Sequence, residues 1–304
     1  MQLTMSWINK SGVIMKSFMI VSNPIKDADL RTAHAVREKI LAIDGSIKVD
    51  ISGLDDNYID RLDGMDCIIV LGGDGTMLRV SEHTNDIDIP LIGINMGTIG
   101  FLAEVEMGNV EQALKALIED KFKTEERMRI CGEVYKNGEC VKKADALNDV
   151  VLSRNGDLQV IGYRVSVNGL HLTDYHADGV ILSTPTGSTG YNMSAGGSIV
   201  EPGASLLVLT PVCPHTMAAR SVLLSAEDEV EVMVMRSTGD RHLQAGAYFD
   251  GGKSVLLDES DKVIIKKSDR TTKLIRLSEK SFIEVLQKKM NETNTLQTAP
   301  GEDR

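Results

Sequence analysis

Between Phe18 and Lys123 short apolar runs alternate with stretches of helical periodicity, and this alternation restricts the possible folds more than any other property of the chain. The run "FMIVSNP" precedes a helix from about Ala28 to Ile43, with Leu30, Ala33, Val36, Ile40 and Leu41 along one side. The run "CIIVLGG" precedes a helix after Thr76, and "PLIGINMG" precedes one opened by Asn109. In the last helix Val110, Ala113, Leu114, Leu117 and Ile118 follow the i, i+3, i+4, i+7, i+8 rhythm, and Asn109 with Gln112 resembles a capping box. Strands that alternate with helices imply a parallel, doubly wound sheet, in which ligands sit outside the carboxyl ends of the strands.

After about Lys123 the texture changes to closely spaced strands: "RICGEVY", "ALNDVVLSR", "VIGYRVSV", "LHLTDY", "GVILST", "SLLVLTP", "EVEVMVM", "LQAGAYFDG" and "KVIIKK". Asn168-Gly169, between two of them, is a strong signal for a two-residue hairpin. The fold class expected is therefore α/β plus all-β, a Rossmann-like domain over 15–124 and a mostly antiparallel β-sandwich over 125–274. Ser278 can cap a helix over 275–291 whose Phe282, Val285, Leu286 and Met290 form an apolar stripe facing the first domain. Residues 292–304 read as a disordered tail. Residues 1–14 read as an extension, because "MKSFMIVSNP" from Met15 has the character of a true start.

The net charge of −11 disfavours nucleic acid or anionic membrane as a partner, since no block of Lys or Arg is dense enough to offset that field. Cys67, Cys131, Cys140 and Cys213 show no CxxC pairing and no zinc-like spacing with His, and no signal peptide or transmembrane run is visible. A cytoplasmic setting is expected, with the cysteines as small buried hydrophobes or bystanders.

Two stretches carry chemistry. In "LGGDGTM" at 71–77, Gly72, Gly73 and Gly75 would let backbone amides approach a phosphate, with the following helix adding the positive end of its dipole. Asp74 opposes an anion there, so it must serve a task that amides cannot perform. The second stretch is "DYHADGVILSTPTGSTGYNMSAGG" at 174–197. Its many hydroxyls and little bulk suit the close wrapping of a polar ligand. "ALNDVV" and "YFDGG" add carboxylates near strand ends.

Together "GGDGT" at 72–76, "ND" at 148–149 and the segment 178–197 resemble the three signatures of the NAD kinase family, in the same order and at similar spacing. "GGDGT" alone is shared with diacylglycerol and sphingosine kinases, whereas the third motif is far more specific. The resemblance covers roughly Phe18 to Glu284. It implies phosphoryl transfer from ATP to the 2′-hydroxyl of the adenosine ribose of NAD, at a site between the domains and usually between subunits of a homo-oligomer, dimer or tetramer. Polyphosphate is a second donor to consider. Asp74 suits the role of base or hydroxyl-orienting group, with Gly72, Gly73, Gly75 and Thr76 holding phosphates. No P-loop lysine adjoins the motif, so a divalent ion, Mg²⁺ or Mn²⁺, is inferred to neutralise the donor, with no protein residue assigned as its ligand.

By the same resemblance Asn148 and Asp149 contact adenosine, while Asp178, Thr186, Thr189, Gly190, Tyr191, Ser194 and Asp250 line the dinucleotide site. Phe101 is a further candidate, as a ring that covers the pocket. Three departures stand out: Asp149 where many members carry Glu, Gly190 where Ala is frequent, and His176 where Arg or Lys is frequent. His176 would make any phosphate or subunit contact there pH-dependent. His34 and His83 read as helix-face residues, and His215 as a neighbour of the site without a settled role. Two alternatives compete. A diacylglycerol-type lipid kinase would need a basic or apolar membrane face, which 4% aromatic content and the negative charge do not supply. A noncatalytic NAD or NADP sensor would have no use for Asp74.

Overall fold

A computed structural model describes residues 15–97, 100–156, 160–216, 219–235, 244–277 and 281–295, with side chains described as far as Asn291. The first half contains β1 (Ser17–Ser22), α1 (Arg31–Ile43), β2 (Lys48–Gly53), β3 (Cys67–Gly72), α2 (Asp74–His83), β4 (Leu91–Asn95), the short β5 (Val105–Glu106) and α3 (Val110–Ile118). β1 pairs in parallel with both β2 and β3, and β3 with β4, giving the order β4-β3-β1-β2. The direction of winding therefore reverses between β1 and β3, which places the crevice of the parallel sheet at their carboxyl ends.

Every residue of β1, β3 and β4 is buried, as a sheet covered on both faces requires. Alternation divides the side chains between two cores. Phe18, Ile20, Ile69 and Leu71 pack with Ala33, Val36 and Ile40 of α1 and with Ala113, Leu114 and Leu117 of α3. Met19, Val21, Ile68 and Val70 pack on the other face with Met77 and Val80 of α2. Each fully buried aliphatic side chain of this kind contributes roughly 1.5–3 kcal/mol.

The second half comprises β6 (Lys123–Lys136), β7 (Glu139–Ala146), β8 (Asp149–Asn155), β9 (Ile161–Val167), β10 (Leu170–Ala177), β11 (Gly179–Ser183), α4 (Tyr191–Ser194), β12 (Leu206–Val212) and β13 (Val222–Ser225). It continues with β14 (Val230–Val234), β15 (Gln244–Phe249), β16 (Val255–Leu257), β17 (Lys262–Arg276) and α5 (Phe282–Thr295). One antiparallel sheet has the order β13-β12-β11-β8-β15-β16. It packs on β9, β14, β17 and β6 through a core that includes Val150, Leu152, Val180, Leu182, Tyr163, Val165, Val232 and Val263. Asn168 and Gly169 both take positive φ, 50° and 76°, as the two-residue turn between β9 and β10 demands.

Several details depart from the sequence reading. The two halves share a sheet: β17 pairs with β6 from Lys262↔Tyr135 to Arg276↔Lys123, and its Leu274 aligns in parallel with Leu91 of β4. "KVIIKK" is thus only the first part of a strand that continues past an irregularity between Lys267 and Thr271. β2 escaped notice because it is an edge strand with polar, half-buried positions. Asn109 precedes α3 without a side-chain capping bond, since a 3₁₀ turn at Met107–Asn109 leaves it at φ −105°, ψ 5° rather than in the extended region that a cap needs. At α5 the reciprocal cap is made by Ser281 and Glu284: Ser281 N donates to Glu284 Oε2 at 2.7 Å and Glu284 N to Ser281 Oγ at 3.3 Å. Ser278 lies outside the described residues, as do 1–14 and 296–304, while α5 itself runs on to Thr295.

Candidate functional site

The glycine turn leads from β3 directly into α2, with Gly73 as N-cap and Asp74 in the first turn. Asp74 does not stand free. Its Oδ2 accepts the Phe101 N–H at 2.8 Å, and its Oδ1 accepts those of Leu102 and Ala103 at 3.0 and 3.1 Å. A carboxylate has about four acceptor positions, so these bonds leave one, on Oδ2. A side chain at residue 100 would overlap the carboxylate, so Gly100 is required for this close approach. Asn23, just after β1, ties the neighbouring strand end to the turn: its N–H donates to Leu71 O at 3.1 Å and its Nδ2 to Thr76 Oγ1 at 3.4 Å. Lys26 from the same loop brings its Nζ to 3.7 Å from where a methyl group on either Gly73 or Gly97 would stand.

A cavity of about 450 Å³ opens beside this region, with Leu78 of α2 on one wall and Asn148, Asp149, Tyr191, Tyr248 and Asp250 on the others. Asp250 has a positive φ of 46° and turns its carboxylate inward, where it accepts the backbone N–H groups of Leu147, Asn148 and Asp149 at 2.7, 2.7 and 3.1 Å. Burial nevertheless raises its pKa, against the lowering effect of those bonds and of Arg129. Asp149, only 5% exposed, is pushed up to about 7, first by burial and second by the negative charge of Asp250. Asn148 Oδ1 is buried without a hydrogen-bond partner. An acceptor left in that state costs about 1–3 kcal/mol, which a donor on a bound ligand would recover.

The raised pKa of Asp149 predicts a pH effect. The folded value lies above the unfolded one, so this group's contribution to stability is fully present below about pH 4 and is lost as pH rises through about 7. Thermal unfolding of the ligand-free protein, compared with Asp149→Asn, is expected to show the variant gaining relative stability between pH 5 and pH 8. A difference that stays flat over that range would contradict the assignment.

In the third motif Thr186 is buried, and its Oγ1 accepts from Arg127 at 3.3 Å. Thr189 donates to Thr186 O at 3.3 Å, Asp178 accepts from Arg154 Nε at 3.0 Å, and Ser194 and His176 are exposed. A methyl group at Gly190 would lie 3.3 Å from Asn148 Nδ2, so the glycine leaves room for that amide. The structure thus gathers Asn148, Asp149, Tyr191 and Asp250 at one cavity, whereas Thr186, Thr189, Gly190, Asp178, Ser194 and His176 are not among its lining residues. Phe101 departs from expectation: its ring lies 6.2 Å from that of Phe282 and beneath Lys289, facing α5 rather than the cavity. His83 Nδ1 lies 3.1 Å from the Tyr58 hydroxyl, and the backbone N–H of His215 donates to His176 O at 2.8 Å; neither histidine lines the cavity.

A set of charged bonds that no motif announced joins the two signature regions. Arg127 runs from Thr186 to Glu125 at 2.6 Å, and Glu125 accepts from Arg276 at 2.9 Å. Arg276 in turn donates to Phe101 O at 3.4 Å, and the Phe101 N–H holds Asp74. Burial lowers the Arg127 pKa to about 10 despite its Glu125 partner. Arg127, Glu125, Lys26 and Tyr248 were all overlooked; "RICGEVY" marked only the part of β6 that follows Glu125 and Arg127, and no sequence signal announces an arginine that turns inward.

A phosphate-approaching turn at the crevice of a parallel sheet, beside a carboxylate-lined cavity in a β-sandwich, defines a nucleotide-dependent phosphotransferase. The ATP-NAD kinase N-terminal domain matches residues 12–122, and the ATP-NAD kinase C-terminal domain matches 147–277. The chain belongs to the ATP-NAD kinase family. It is 40% identical to the NAD kinase of Lachnoclostridium phytofermentans, over 91% of this chain and all of that one. It is 38% identical to that of Agathobacter rectalis, over 91% and 99%. An NAD kinase from Archaeoglobus fulgidus, solved in complex with ATP, superposes with a TM-score of 0.72 at 26% identity, covering 90% of this chain and 98% of that one. Yeast NADH kinase, solved with NADH, shares the fold at a TM-score of 0.80 and 22% identity, over 95% and 89%.

Proposed function

We propose that the chain transfers the γ-phosphoryl group of ATP to the 2′-hydroxyl of the adenosine ribose of NAD, giving NADP and ADP. The observation that carries this reading is the partnerless Asn148 acceptor beside Asp149 at the cavity wall, in a chain of this family. Asn148 Oδ1 accepts from the adenine amino group, Asp149 from a ribose hydroxyl, and Tyr191 and Tyr248 flank the dinucleotide. The remaining acceptor position on Asp74 Oδ2 takes the 2′-hydroxyl, orients it in line and receives its proton late in transfer. Gly72, Gly73, Gly75 and Thr76 hold the donor phosphates at the amino end of α2. Asp250 acts behind this set, holding the backbone of 147–149.

Among the described residues no group of three or more His, Cys, Asp or Glu side chains could hold a metal ion. A divalent cation, Mg²⁺ or Mn²⁺, would enter with the triphosphate and would supply charge neutralisation there. The resemblance extends to a cytoplasmic homo-oligomer, dimer or tetramer. No helix among the described residues is long and apolar enough to cross a membrane. Sedimentation of the purified protein reads the assembly.

The test is incubation of purified protein with NAD, ATP and Mg²⁺, reading NADP with a dehydrogenase specific for it, and repeating with polyphosphate as donor. NADP formation is expected with ATP. Phosphorylation of diacylglycerol instead, or NAD binding without turnover, would overturn the reading in favour of a lipid kinase or a sensor.

A further inference from the structure

We propose that Lys26 is the phosphate-binding cation of the glycine turn, supplied from the loop after β1. The inference rests on the phosphoryl-transfer reading and adds a residue to it. "GGDGT" carries no basic side chain, yet the transferring group must be met by positive charge. The fold provides one at the carboxyl ends of β1 and β3, where the winding of the sheet reverses. Lys26 Nζ stands 3.7 Å from the position of a methyl group on Gly73 and equally far from one on Gly97, so it lies over the ends of β3 and β4 together.

Its backbone is fixed from both sides. Lys26 N and Asp27 N both donate to Asn23 O, at 3.0 and 2.9 Å, and Asn23 is bonded to Leu71 and Thr76 of the turn. Asp27 is buried; it accepts from Ser22 Oγ at 2.8 Å and from the Thr32 and Ala33 N–H groups at 2.7 and 3.1 Å, which holds its carboxyl below the usual range against the opposing effect of burial. The flanking residues thus have structural partners, whereas the Lys26 side chain is exposed and no carboxylate among the described residues pairs with it. A long cation on a rigid turn, aimed at glycines rather than at an acid, is arranged to meet an anion that arrives from solvent.

In the reaction the acceptor oxygen bonds to the γ-phosphorus as the bond from that phosphorus to the β,γ-bridging oxygen breaks. The electron pair leaves with ADP, and the hydroxyl proton goes to Asp74 and then to solvent. Lys26 takes no part in the proton transfer and neutralises charge on the β- and γ-phosphoryl oxygens.

Lys26→Ala, Lys26→Arg and the parent are compared for NADP formation at varied ATP and varied NAD, and for binding of N-methylanthraniloyl-ATP with Mg²⁺. The Ala variant is expected to lose on the order of ten- to a hundredfold in kcat/KM for ATP. Its KM for NAD should change less than about twofold, and Arg should recover part of the loss through its retained charge. A kcat/KM for ATP within about twofold of the parent, or a loss expressed in the KM for NAD, would overturn the proposal. The binding arm decides independently of turnover: should the parent make no NADP, weaker analogue binding by Lys26→Ala still supports the assignment, and equal binding refutes it.

Discussion

Asp74→Asn is expected to lower turnover by on the order of a hundredfold or more while leaving the dissociation constant for NAD nearly unchanged. Two losses combine. An amide cannot receive the hydroxyl proton, and it cannot accept all three N–H groups of Phe101, Leu102 and Ala103, because one of its ends donates. Steady-state rates and calorimetric NAD titration separate the effects. A variant that turns over like the parent would remove Asp74 from the chemistry altogether. Gly100→Ala supplies an independent check, because it leaves the carboxylate chemically intact and displaces it. Turnover should fall there too.

Asp250→Ala is expected to cost about 3–5 kcal/mol of stability, or roughly 10 °C in Tm, because three inward-facing backbone N–H groups lose their acceptor and Arg129 loses a nearby countercharge. With the Asp250 charge gone, Asp149 should also titrate lower, since that charge is part of what raises it. Thermal melts measure the first effect and the pH profile of NAD affinity the second. A Tm within about 2 °C of the parent would show that the 147–149 backbone finds other partners.

The parts of this fold that were legible in the sequence are those whose cause is local. β1, β3 and β4 announce themselves because strands buried on both faces must be apolar throughout, and Asn168-Gly169 does so because few residues tolerate its backbone angles. The second part of β17 did not, since "SDRTTK" is polar and its strand character comes from β6 alongside it. The candidate site divides in the same way. Asn148, Asp149, Tyr191 and Asp250 were picked out as motif residues and meet at one cavity. The inward turn of Asp250 and the occupation of Asp74 by the 101–103 backbone depend on contacts between distant segments, which no periodicity records. Lys26 was missed because its loop follows a different strand from "GGDGT", and only the parallel order brings the two ends side by side.

The pairing of β17 with β4 bears on how the chain matures. Leu274 and Ile275 are buried within the cores that Met19, Ile68, Phe18 and Ile69 begin, although they lie near the other end of the sequence. During synthesis the leading half can collapse early but cannot close its hydrophobic faces until almost the whole polypeptide has left the ribosome. The glycine turn and its clasp on Asp74, which Arg276 helps to hold, would be finished last. A chain shortened before β17 would lack both that closure and the Arg276 bond to Phe101 O, and it is expected to melt below the full-length chain.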